Sequence, residues 1–289
     1  MKASANFDFD DEKYSAPPSQ VLPWCQMINP RVSQTEMQSH GLAISLENAN
    51  AVNFIPDDTW ERVEHEFSDN EVKTLFITPT PRLVIVRRGP LSVKDRETGK
   101  KLGTFKEYEQ AFLADKLKFK TFTRHLIFLV GKNRKFLHES PLQISLSGAA
   151  SASFNKAYSN RTNGVAGGFI AELEKAYAQY RQQPLAPKGP LFHAHGIFCP
   201  IIEVEERGTG LNTALVSTTS DYGHPTADNL TKFMIASDSL ESATISKIFE
   251  EYKDFGKEPV KPEMPKMELA GVSSSYDYPD EFEYGEPPY

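Results

Sequence analysis

Apolar and polar positions alternate in short runs along most of this chain, and Pro, Gly, Asn and Asp punctuate the runs. That pattern predicts strands at 21–28, 41–46, 72–78, 82–88 and 142–146. Leu83, Val84, Ile85 and Val86 form a continuous apolar run closed by Gly89-Pro90. Residues 91–94 and 101–105 predict a hairpin around Asp95 to Lys100. The longest strand expectation is 118–130, and a second hairpin pairs 191–204 with 211–218. Residues 50–55 read as a strand or a turn. Helical spacing is sparser. A short helix is expected over 57–67, opened by Asp57 and Asp58. Others are expected at 106–115, at 147–158 with Ser147 as cap, and after Pro225. In 169–181, Phe169, Leu173, Ala176, Tyr177 and Tyr180 share one face. A last helix starts at Asp238-Ser239-Leu240-Glu241 and runs to about 255.

The fold expectation is α+β and mainly β, an OB-like barrel or small β-sandwich with inserted helices. A core at 21–258 carries a helical insertion at 147–183. It is flanked by an acidic arm, 1–20, and an acidic, aromatic tail, 259–289, both expected to be disordered.

Charge changes the picture more than composition does. The 289 residues carry a net charge of −7. Residues 82–135 hold fifteen Lys/Arg and five Asp/Glu, 15 − 5 = +10, which leaves −17 for the remainder. A basic, strand-rich block with interleaved aromatics points to a polyanion-binding surface. Two cysteines, Cys25 and Cys199, exclude a disulfide framework and fit a reducing cytoplasm. No apolar run reaches membrane-spanning length, and the N-terminus lacks the apolar core of a secretory signal.

Period-two alternation places Lys118, Lys120, Phe122, Arg124 and Phe128 on one face of the long strand. Cations for phosphates beside a ring for a base are what single-strand binding needs. Arg87, Arg88, Lys94, Arg96, Lys100, Lys101, Lys132, Arg134 and Lys135 lie in adjoining strands and turns and extend the expected site. Trp24 and Trp60 read as core residues.

The last seventeen residues contain five acids, no Lys or Arg, and Tyr276, Tyr278, Phe282, Tyr284 and Tyr289. Asp280, Glu281, Phe282, Tyr284 and Tyr289 are the docking candidates. A basic core followed by such a tail resembles single-stranded DNA-binding proteins of prokaryotes, phages and plasmids. The chain ends Gly285-Glu286-Pro287-Pro288-Tyr289, where the bacterial tail has an acidic run and a terminal Pro-Phe, so the tail's partner stays open. The resemblance implies non-enzymatic single-stranded DNA binding in replication or recombination, with the tail docking partner proteins or competing for the basic surface. RNA in place of DNA, and self-association, stay open. The alternative is a structural or interaction protein whose basic face meets acidic protein partners.

Chemistry beyond binding has thin support. On a strand, His193, His195 and Cys199 would share a face, which suits zinc and a hydrolase, but no further ligand cluster accompanies them. Packed histidines are the plainer reading, and no cofactor is expected. The loop at 163–168 lacks a phosphate-cradle pattern. Ser145, Ser147 and Ser151 have no nucleophile-elbow setting.

Overall fold

The structure is a computed structural model. It describes residues 22–30, 39–67, 70–162, 165–208 and 213–257. The first strands are β1 (Trp24–Ile28) and β2 (Gly41–Ser45), followed by helix α1 (Leu46–Ala51). Next come β3 (Glu61–Glu66), β4 (Val72–Thr78), β5 (Leu83–Arg88), β6 (Ser92–Asp95) and β7 (Lys101–Thr104). Helix α2 (Phe105–Ala114) leads into β8 (Phe119–Leu129) and β9 (Leu142–Ser147). Then follow α3 (Gly148–Tyr158), β10 (Asn160–Thr162), β11 (Val165–Gly167) and α4 (Gly168–Tyr180). The chain closes with α5 (Pro190–His193), β12 (Ile197–Phe198), β13 (Pro200–Arg207), β14 (Ala214–Tyr222) and α6 (Leu240–Glu251).

Ten strands make one sheet, ordered β12-β5-β8-β9-β1-β2-β4-β3, with β6 pairing both β7 and β8. β8 organises it. Its second half pairs with β5 and its first half with β6, because Gly89-Pro90 breaks what would otherwise be one partner strand. The pairing of β1 with β9 is parallel, and the other pairings described are antiparallel. β12 and β3 end the sheet without meeting, so it is open, not the OB-like barrel expected. Glu61, Arg62, Glu64 and Glu66 are exposed on β3, and charge along an edge opposes closure by a further strand.

Both faces are partly covered. On one, Ile44, Ile127, Ile144 and Leu146 pack in a cluster with Phe154, Tyr158, Phe169 and Leu173 of α3 and α4. On the other, Val84, Leu126 and Phe128 pack with Ile245 and Ile248 of α6. Full burial of each such side chain contributes roughly 1.5–3 kcal/mol. The β13–β14 hairpin is tied on by hydrogen bonds. The Thr219 N–H donates to Ser153 Oγ at 3.0 Å, and Ser217 Oγ donates to the Ile28 carbonyl.

Three expectations of local structure change. Residues 57–67 hold a turn and strand β3, not a helix. Asp57 Oδ1 accepts from both the N–H and the hydroxyl of Thr59, which folds a turn instead of capping a helix. Residues 46–51 are α1, capped by Ser45, whose Oγ accepts from the Asn48 N–H. The expected strand at 191–204 begins as α5, because Pro190 sits at a helix start, where its missing N–H costs nothing. The acidic arm at 1–20 and the tail at 259–289 lie outside the described residues.

Candidate nucleic-acid interface

The β6–β7 hairpin turns at Asp95, whose Oδ1 accepts from the N–H and hydroxyl of Thr98, while Gly99 supplies a φ of +68°. On its other edge β6 pairs with β8, in a register that sets Ser92 opposite Phe122 and Lys94 opposite Lys120. Two lysines therefore face each other across an antiparallel pair, an arrangement that destabilises the strands carrying it. Neither is ion-paired with a carboxylate among the described residues. Lys120 is half-buried, and that burial, with the charges of Lys94 and Arg96, holds its ammonium below the usual lysine range. Lys94 Nζ lies 5.5 Å from the centre of the Phe122 ring. Arg96 is pinned nearby by its Nε donating to the Phe119 carbonyl at 2.8 Å. Lys118 lies over the Phe119 ring, Lys100 is exposed on the turn, and Lys101 Nζ donates to the Gly256 carbonyl.

The same sheet face continues across β8, β9 and β1. Arg124 is opposite Ser145 and Phe122 opposite Ser147, and Gln143 is opposite Trp24 across the parallel pair. Ser145 is exposed, and Gln143, Ser147 and Gln26 are half-buried. This middle of the face is thus polar and open, between the apolar patch under α6 and the small cluster of Ile28, Ala43, Leu75 and Ile77. The Phe255 ring borders it, 6.0 Å from the Arg124 guanidinium carbon. Trp24, read from sequence as core, is 43% exposed. Cys25 beside it is buried in the opposite face, and that burial pushes its thiol up to about 12.

The structure does not gather all the expected site residues. Phe122, expected to stack on a base, is 6% exposed, so its ring is core. Arg87 lies flat on the Phe249 ring at 3.4 Å from its centre and donates to the Phe249 carbonyl. Arg88 points to the other side of the sheet, over Tyr158, and donates to Asn155 Oδ1. Lys132 pairs with Asp58, Lys135 with Glu241, and Arg134 donates to the Thr231 carbonyl. These last three follow the far end of β8. At about 3.4 Å per residue, the end of β8 at Leu129 is roughly 30 Å of strand from Lys120. The tail candidates Asp280, Glu281, Phe282, Tyr284 and Tyr289 lie outside the described residues.

The histidine motif is divided among separate partners. His193 Nε2 is 2.7 Å from Glu174 Oε1, His195 bonds Ser242 Oγ, and Cys199 donates weakly to the Ile197 carbonyl. No cluster of His, Cys, Asp and Glu suited to a metal ion occurs among the described residues. A polar network that sequence reasoning missed joins β14 to α4. Tyr222 donates to Glu172 Oε1 at 2.9 Å, and His224 is held between Glu172 at 2.8 Å and Asp221 at 3.1 Å. The bond to Glu172 is the main cause that raises the His224 imidazolium above its ordinary range. No helix among the described residues is long and apolar enough to cross a membrane.

Residues 19–268 match a family model described as Domain of unknown function (DUF5895). No curated protein and no solved structure matches the chain.

Proposed function

The chain belongs to the family described as a domain of unknown function, DUF5895, and we propose that it binds single-stranded DNA without catalysing a reaction on it. The observation that carries this reading is the opposed pair Lys94 and Lys120, with Arg96 beside it and no carboxylate partner for either lysine among the described residues. A phosphate at that point relieves the repulsion between the lysines, which favours binding of a polyanion there over an empty face. Lys100, Lys118 and Arg124 extend the positive field along the hairpin and β8. The polar floor of Gln143, Ser145 and Ser147 suits a sugar-phosphate backbone better than an apolar partner. Binding in replication or recombination, with the acidic tail docking partner proteins or competing for the face, is part of the proposal. The tail's part in it stands on charge and composition alone.

Fluorescence anisotropy of labelled oligo-dT with the full chain across a salt series tests it. The expected result is binding whose log affinity falls linearly with log salt. No binding at low salt overturns it. A second reading, docking of an acidic protein, draws on Leu113 and Leu117, which are 57% and 81% exposed near Lys116 and Lys118. It predicts salt-sensitive association without any response to oligonucleotides.

A further inference from the structure

We infer that Trp24 is the base-stacking residue of the open sheet face, and that it makes the face selective for single strands. The inference rests on the polyanion reading of that face and adds a second recognition element to it.

Trp24 is the first residue of β1, a strand in the middle of the sheet, where a large aromatic side chain is ordinarily covered. Its backbone is fixed on both sides. On one side it pairs with Gln143 of β9, and on the other its carbonyl accepts from Asn48 Nδ2 at 3.0 Å, next to the point where β2 begins to pair at Cys25. Its indole joins none of the apolar clusters and stacks on no other ring among the described residues. Trp60, the only other tryptophan, packs edge-on against Phe54 at 5.2 Å. One tryptophan is therefore used as core and the other stands exposed on a fixed backbone beside a polar floor. An indole has only two side-chain torsions to fix when a flat partner covers it, so ordering it costs little.

The register places that partner. Trp24 is two strands from β8, about 10 Å across the sheet, and Arg124 is a further 7 Å or so along the strand direction. Lys120 lies beyond Arg124 along β8, and Lys94 is beside Lys120 on β6, away from Trp24. A backbone crossing Lys94, Lys120 and Arg124 can deliver an unpaired base onto Trp24. A duplex has its base faces already stacked and paired, so it can satisfy the cations but not the indole.

The test uses the full chain carrying Trp60→Phe, which keeps a ring against Phe54 and leaves Trp24 as the sole indole. It is titrated with oligo-dT, with a duplex of equal length, and with polyphosphate, which has charge but no bases. Strong quenching by oligo-dT alone is expected. Trp24→Ala should weaken oligo-dT binding between about five-fold and a hundred-fold, and leave duplex and polyphosphate binding unchanged. Trp24→Phe, which also guards against a folding defect, should recover most of the loss. Salt-sensitive binding with no change in Trp24 emission, or an equal loss on all three ligands, overturns the inference and leaves the polyanion reading standing. No binding of any ligand by the native chain at low salt overturns both.

Discussion

Lys94 and Lys120 are direct cross-strand neighbours, so their side chains project side by side from one face of the sheet. Stability alone would favour an opposite-charge pair there. Lys94→Glu should stabilise the fold by roughly 0.2–1 kcal/mol, a rise in Tm of about one to three degrees for a chain of this size. The same change should weaken oligo-dT binding at least several-fold. Thermal melts and anisotropy on one preparation check both, and a variant that loses stability and binding together contradicts the argument.

The division of the basic residues predicts unequal effects on salt dependence. Lys120→Ala should lower the log–log salt slope by about 0.7, the value for one phosphate contact on a single strand. Lys132→Ala with Lys135→Ala should leave the slope unchanged, because those cations are paired with Asp58 and Glu241 at the far end of β8.

His125 predicts a gain of stability. It is completely buried against Phe154, and neither ring nitrogen has a hydrogen-bond partner among the described residues. Burial, and then the nearby Arg88 charge, hold it neutral. His125→Leu should raise stability by about 1 kcal/mol at neutral pH, within the range for removing an unsatisfied buried group. A chemical denaturation curve measures it.

His125 and His138 also set the acid limit. His138 accepts from the Leu129 N–H through Nε2 and donates from Nδ1 to the Ser140 carbonyl. Burial is the main cause that lowers its pKa from 6.5 to about 4. The unfolded chain therefore takes up protons below about pH 6.5 that the folded chain refuses. Stability is full above that pH and falls as pH drops towards 4, by up to about 1.4 kcal/mol per unit for each histidine. His125→Leu should flatten the melting-temperature profile between pH 6.5 and 4.

His224 should show the opposite sign. Its pKa is raised by Glu172 and then Asp221. Its contribution is present below the ordinary histidine range and is lost as pH rises through the raised value. His224→Gln should therefore lower Tm at pH 6 and have little effect at pH 9. The loss should stay below about 1 kcal/mol, since the group is largely exposed.

Legibility in the sequence differs from element to element. The strand β8 was readable, because aromatic and β-branched residues run through it, although both of its faces are buried from His125 to Leu129. The opposition of Lys94 and Lys120 was not, since it depends on the register between β6 and β8, which are separated in sequence by β7 and α2 and whose pairing no local pattern specifies. The basic block reads as one surface only if nearness in sequence is nearness in space, and an eleven-residue strand breaks that link. Trp24 was misread for a related reason. Composition makes Trp a core residue, but which sheet face lies uncovered is decided by where α6 and α3 pack, far along the chain.

The single parallel pairing described, β1 beside β9, is also where two portions of the sheet are joined: β12-β5-β8-β9 on one side and β1-β2-β4-β3 on the other. Cys25 meets Ile144, so 119 residues separate partners in that join. Closing so long a loop is entropically costly and makes a late folding step. A nascent chain can pair β1 with β2 early, but the other edge of β1 has no partner until β9 has left the ribosome, so the two portions of the sheet are joined late.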